Sequence, residues 1–354
     1  MDAKITKKRL GEFLSYEWIK VLAIIAAIVI VWSVVFSVTA SRLTEDQLFT
    51  IINYTGTNIG EDFNAYPDLL MGKKNVLSYE VNEISTLDIT VDNNSMASSL
   101  LETRLTTSEG DVLFAADAPY KGQVRPVVEQ GAVVYDGDEI KTETSTYLYD
   151  FLISRYHYMT MSVEDVKYPT MAEPRKGIIT QVDEYLAQFF TKDGEEYDET
   201  TLNKEEAEKQ FRARVEETSD KRFRNEKLLE EGLEKEYARL QQYCVAFETF
   251  KDYLYGDSAK GLEPVIQATE SNLVFSDDNG DPFVVTGKFS LNLCPVGGKM
   301  SELKDTVYYK TESGTTADNV NLVFLNLEGS QKEFYGEKLV FVNYLVERYL
   351  DDTM

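Results

Sequence analysis

Residues 21–41 read VLAIIAAIVIVWSVVFSVTAS, an apolar run with no charged position. A helix needs about 20 apolar residues to cross a bilayer, so this run predicts one spanning helix. Beyond it the pattern breaks into short strands and amphipathic stripes. Residues 49–54 are β-rich and apolar and stop at Thr55-Gly56, which predicts a first strand. Residues 61–71 predict a short helix or an irregular segment, because Pro67 opposes a long one. The alternation over 76–89 predicts a second strand. A helix is predicted over 95–106, with Met96, Leu100, Leu101 and Leu105 on one face, Asn94 or Ser95 as cap, and Glu109-Gly110 as stop. Residues 111–116, DVLFAA, predict a third strand of the fully buried kind. Strands alternating with helices predict an α/β domain with a parallel sheet covered on its faces.

The pattern continues with a loop-rich stretch over 119–139, turning at Asp136-Gly137. A very aromatic helix is predicted over 144–161 and an apolar one over 181–190. Residues 203–255 predict the longest helical region. Its first half is laced with charge at i,i+4, as in Glu205–Lys209, Glu208–Arg212, Glu217–Lys221 and Glu231–Lys235. Its second half carries a stripe of Leu229, Leu233, Tyr237, Leu240, Cys244 and Phe247 and ends at Gly256. Short strands are predicted over 273–275, 283–286, 289–294, 307–309 and 320–327, and an amphipathic helix over 337–350 closes the pattern. There is no internal repeat and no low-complexity linker.

Charge orients the first helix. Lys4, Lys7, Lys8, Arg9 and Lys20 precede it, whereas Arg42, Glu45 and Asp46 follow. The positive-inside rule places residues 1–20 in the cytoplasm and the domain of residues 45–354 outside, with Tyr16 and Trp18 at the inner interface. The competing reading is a signal peptide cut after Val38-Thr39-Ala40. The apolar run exceeds the usual signal-peptide core of about 7–15 residues, which favours a retained anchor. Both readings export the remainder and make a cell-membrane, single-pass location the expectation for the anchored form.

A net charge of −25 opposes nucleic-acid binding, which needs clustered Lys and Arg. Cys244 and Cys294 are too few for a disulfide framework, although one bridge between them stays open. Cys244 sits in a helical stripe, as a buried free thiol does. With His157 as its single histidine, the chain offers no multi-histidine zinc site.

The stretch 49–119 resembles the start of an extracellular solute-binding protein of the ABC-importer type. Three features carry the likeness: the strand ending in Asn53-Tyr54-Thr55-Gly56, the helix leading into Leu101-Glu102-Thr103-Arg104-Leu105-Thr106-Thr107-Ser108-Glu109-Gly110, and Asp111-Val112-Leu113-Phe114-Ala115-Ala116-Asp117. Lys288–Leu293 and the closing helix resemble the family's other lobe more weakly. The resemblance implies a two-lobed, hinged periplasmic-binding-protein-like fold, type II, with a ligand between the lobes and an ABC permease or another envelope protein as partner. The helical anchor and the charged helical region near 203–255 depart from the family pattern.

In open α/β sheets ligands sit at the carboxyl ends of the strands. Those ends here are Tyr54-Thr55-Gly56 and Asp117-Ala118-Pro119-Tyr120. Tyr54, Thr55, Asp117 and Tyr120 are therefore the candidate ligand-binding residues. Asp117 is suited to accept hydrogen bonds from sugar hydroxyls or an amine, and the tyrosines to stack on a sugar. The structural alternative is that Asp117 caps a turn and the tyrosines pack a hinge. Asp277-x-Asn279-x-Asp281 resembles half a calcium loop, but Lys288 stands where the twelfth-position glutamate belongs, and Asn279-Gly280 is a hairpin turn. No Gly-rich phosphate loop, serine elbow or metal motif is present, so neither catalysis, a cofactor nor a metal site is expected. The expectation is a membrane-anchored solute-binding-like protein taking a small ligand, with a carbohydrate as the favoured class. The alternative is a ligand-free structural or interaction protein of the envelope on the same fold.

Overall fold

A computed structural model describes residues 47–71, 76–89, 95–107, 109–169, 171–325 and 335–351, with helical residues 11, 18, 20 and 22–33 before them. Chain contacts divide the molecule into Met1–Leu43 and Thr44–Met354. In the first unit residues 22–33 are helical and exposed. No helix among the described residues is long and apolar enough to cross a membrane. Val21 and residues 34–41 of the expected span, the cleavage site included, lie outside the described residues.

The second unit is mixed α/β. In chain order its main elements are β1 (Leu48–Asn53), α1 (Tyr66–Met71), β2 (Glu83–Asp88), α2 (Ser95–Thr106), β3 (Val112–Ala116), α3 (Tyr147–Phe151), β4 (Thr160–Met161), α4 (Ile178–Leu186), α5 (Lys204–Thr218), α6 (Glu226–Tyr255), β5 (Gln267–Ser276), β6 (Pro282–Asn292), β7 (Val320–Leu325) and α7 (Tyr335–Tyr349). One seven-stranded sheet runs β5-β6-β7-β3-β1-β2, with β4 paired to β7. β1 is parallel to both β2 and β3. The expectation of a parallel sheet is corrected beyond that trio, because β7 runs antiparallel to β3, and β6 and β5 form an antiparallel hairpin.

The core follows from strand alternation. Successive side chains point to opposite faces. Phe49 and Ile51 of β1, Val112 and Phe114 of β3, and Leu322 and Phe324 of β7 enter one buried cluster, with Leu339, Phe341 and Leu345 of α7 and Leu240 and Phe247 of α6. Ile52, Leu113, Ala115, Val323 and Leu325 enter the other, with Leu101 and Leu105 of α2 and Leu148, Phe151 and Leu152. Strands buried on both faces read as continuous apolar runs, as DVLFAA does. No second sheet of comparable size is found among the described residues, the next having three strands. One large sheet organises the described residues of the unit, and a division into two lobes is not confirmed.

Several expected elements change. Leu100 is 41% exposed, so the core face of α2 is carried by Leu101 and Leu105; Asn94 and the Met96 side chain lie outside the described residues. The stretch 119–146 is not loop but a set of hairpins, with Pro119–Pro126 paired to Thr142–Thr146. The aromatic helix shrinks to α3, because Thr146 caps it by accepting the Tyr149 N–H at 3.2 Å and π and 3-10 turns follow over Leu152–Tyr156 and His157–Met159. The long helical region divides at Ser219, whose φ of 51° ends α5. Of its predicted i,i+4 pairs Glu208–Arg212 forms, at 2.8 Å, whereas Lys209 pairs with Glu206. Cys244 and Cys294 are free and buried, which closes the disulfide alternative.

Candidate functional site

The carboxyl ends of β1 and β3 form the first candidate. Asn53 ends β1 fully buried, donating from Nδ2 to Asp88 Oδ1 at 3.0 Å and accepting from Thr57 Oγ1 at 2.6 Å. These bonds lock the strand end to β2 and to the turn after it. The turn is tight: the Thr57 N–H donates to the Tyr54 carbonyl at 3.3 Å, and Gly56 takes φ 94°. Only glycine adopts that conformation without strain. Glycine is also required by contact, since the ring of Tyr147 lies flat where a Cβ on Gly56 would be.

The four expected residues share this end of the sheet, each against neighbours of its own. Tyr120 stacks on Tyr147, ring centres 4.3 Å apart and planes 18° from parallel. Tyr54 packs edge-on against Phe151 at 5.1 Å. Thr55 donates to the Ile89 carbonyl at 3.4 Å. Tyr147, contributed by the start of α3, thus fills the stacking face between the Gly56 turn and Tyr120. Asp117 donates its backbone N–H to the Asn319 carbonyl at 2.9 Å and is half-buried. Its carboxylate makes no hydrogen bond or ion pair among the described residues, and its negative charge, after burial and Asp318, helps push the Tyr309 phenol up.

Next to Asp117 lies a chain of amides. Asn321, fully buried, accepts from Thr269 Oγ1 at 2.6 Å and Ser290 Oγ at 3.0 Å and donates to the Asn319 carbonyl at 2.9 Å. Asn292 donates to Asn319 Oδ1 at 2.9 Å and accepts the Cys294 N–H at 3.1 Å. These bonds join β5, β6 and β7 or their ends, which marks the chain as sheet-holding.

A second cluster lies on the helical layer. Arg239 and Glu236 of α6, Arg214 of α5, Arg222, and Tyr79-Glu80 from the segment before β2 form a ladder of alternating charge. Arg214 reaches Glu80 and Glu236 at 2.9 Å each, Arg222 reaches Glu80 at 2.8 Å, and Tyr79 donates to Glu236 at 2.7 Å. Burial would raise the Glu236 carboxyl, but Arg239 and Arg214 overcome that and hold it at about 2. This ladder ties the charged helices to the sheet. Beside it Glu337, in the first turn of α7, is fully buried. It accepts from Ser78 on one oxygen, and the other has no partner among the described residues. Burial pushes it up to about 7.

The half calcium loop is a hairpin turn: Asp277 Oδ1 accepts the N–H groups of Asn279 at 2.8 Å and Asp281 at 2.9 Å. Glu196, Asp252 and Asp257 do converge within ligand distance of one another. Lys260 sits among them at 3.3, 3.0 and 3.1 Å, so the chain supplies its own cation. His157 packs its ring on Phe275 at 4.6 Å, and burial first and Arg175 second hold it below the usual histidine value. A groove of about 470 Å³ between α6 and α7 had no signal in the sequence. Its walls are stripes of two helices far apart in the chain, and neither stripe is distinctive alone.

Comparisons with protein-family models, with curated proteins and with solved structures find no match to this chain.

Proposed function

We propose that the chain is a membrane-tethered, extracytoplasmic interaction protein that works without catalysis and without lobe closure. The observation that carries this reading is the Tyr147 ring, which fills the strand-end crevice between Gly56 and Tyr120. A hinged solute binder needs an open cleft there and two bodies to close on it. The apolar run at 21–41 and the basic flank before it support the tether and its orientation. A tether suits a fixed partner better than a diffusing solute.

The test uses the full-length chain in a non-ionic detergent. Thermal unfolding is followed across sugars, amino acids and short peptides, since a ligand of the folded state raises the melting temperature. No shift is expected. Intact mass should show the N-terminus retained; a mature start at Ser41 would remove the tether.

A second reading, a solute-binding receptor of the ABC-importer kind, is favoured by one observation: the half-buried Asp117 carboxylate without a partner among the described residues. A sugar that stabilises the protein, and loses its effect in Asp117→Asn, would establish that reading instead.

A further inference from the structure

The groove between α6 and α7 combines apolar side chains with two carboxylates, and Gln241, Gln242, Thr249 and Tyr344 add neutral amides and hydroxyls. Val245, Ala246 and Val340 line it, and Val245 is 48% exposed although it lies on a helix that is otherwise half-sunk in the core. Glu199 and Glu347 flank it, both exposed, and neither has an ion pair among the described residues. No Lys or Arg is among the described lining residues. Asn343 lies at its base. Its Nδ2 donates to the Ala246 carbonyl at 2.9 Å, which sets the spacing of the two helices. Asn343 is 6% exposed, and its Oδ1 accepts no hydrogen bond among the described residues. A buried acceptor left unpaired carries an uncompensated desolvation cost.

We propose that this groove is a binding site for a small organic cation, with an ammonium or guanidinium head between Glu199 and Glu347 and an apolar body on Val245 and Val340. The volume lies in the range of small-molecule sites, roughly 300–1,000 Å³. Two carboxylates with no Lys or Arg among the described lining residues repel anions and attract cations, and the apolar floor selects against small inorganic ions, which keep their water. The site shares no lining residue with the strand-end crevice, so it stands whether or not the interaction reading holds.

The probe is tyramine, an ammonium on a compact aromatic body, with tyrosol as its neutral isostere. Binding to the full-length chain in non-ionic detergent is followed by calorimetry and by the methyl resonances of Val245 and Val340. Tyramine should bind saturably and move those methyls, and tyrosol should bind at least about tenfold more weakly. The double variant Glu199→Gln/Glu347→Gln should lose about tenfold in tyramine affinity with an unchanged melting temperature, both residues being exposed. No saturable tyramine binding at millimolar concentration would overturn the site. Equal binding of tyrosol, or undiminished binding in the double variant, would overturn it as well.

Discussion

Arg239 is clasped by Glu236 three residues before it in α6, Nε to Oε2 at 3.0 Å and Nη2 to Oε1 at 2.6 Å, with the two residues 3% and 4% exposed. The pair is fork-to-fork, the geometry that best matches guanidinium to carboxylate. Tyr185 and Tyr243 accept from two further donors of Arg239, at 2.9 and 3.3 Å. The charged helices, read from the sequence as a solvated surface, therefore also reach into the interior.

Breaking this pair leaves a buried charge alone. Glu236→Leu should destabilise the domain by about 3–5 kcal/mol, and Glu236→Leu/Arg239→Met by clearly less, because both desolvation costs disappear together. Urea unfolding of the three proteins at neutral pH checks it. Equal losses in single and double variants would mean that packing, not charge, dominates.

Glu337 predicts a pH dependence of the opposite kind to a paired carboxylate. Burial, partly offset by Arg239 and the Ser78 hydroxyl and reinforced by Glu80, moves it from an ordinary 4.5 to about 7 in the folded protein. Between those values the folded state holds a proton that the unfolded state has released. Its contribution is present below pH 4.5 and is lost as pH rises to about 7, a change of about 3 kcal/mol. Glu337→Gln keeps an acceptor for Ser78 and cannot ionise. It should leave stability near pH 4.5 almost unchanged and raise it at pH 8. Melting curves of both proteins over that range decide; parallel curves would remove Glu337 from the explanation.

Gly56→Ala tests the closure of the strand ends. The substitution strains a backbone at φ 94° and drives a Cβ into the Tyr147 ring. A loss of about 1–3 kcal/mol is expected from the strained backbone alone. Adding Tyr147→Ala should return only the part due to the ring. Hydrogen exchange at the Tyr54 and Thr57 amides in Tyr147→Ala should speed up if Tyr147 closes this end of the sheet.

Lys260→Met converts an internally neutralised cluster into an uncompensated one. Glu196, Asp252 and Asp257 would then face one another with no cation. Calcium at millimolar concentration should raise the melting temperature of the variant and leave that of the unsubstituted protein unmoved, since three carboxylates offer the oxygen ligands calcium takes. A calcium response in both proteins would show that Lys260 does not block the cluster.

Local signals were legible where one element decides its own fate. Residues 49–54 and 111–116 correspond to β1 and β3 within a residue, and 337–350 to α7 within two, because an apolar run bounded by turn residues needs no distant partner to be recognised. Tyr237, Leu240, Cys244 and Phe247 are buried as their helical spacing requires. The candidate residues Tyr54, Thr55, Asp117 and Tyr120 were legible as strand ends, but the Tyr147 ring beside them was not. Tyr147, which fills the stacking face, belongs to a separate aromatic segment whose helix is cut short by the Thr146 cap.

By itself the sequence determined the α/β class of the part after residue 43, most of the strands and helices that build it, and the apolar run before them. Those follow from periodicity, propensity and charge along neighbouring residues. Only the tertiary structure decided that β7 runs antiparallel beside β3, that one large mixed sheet runs through the unit, and that α6 and α7 meet in a groove flanked by Glu199 and Glu347. A strand buried on both faces shows the same apolar run whichever way its neighbour points. Register, direction and the meeting of distant helix faces are set by packing between segments, which no local pattern encodes.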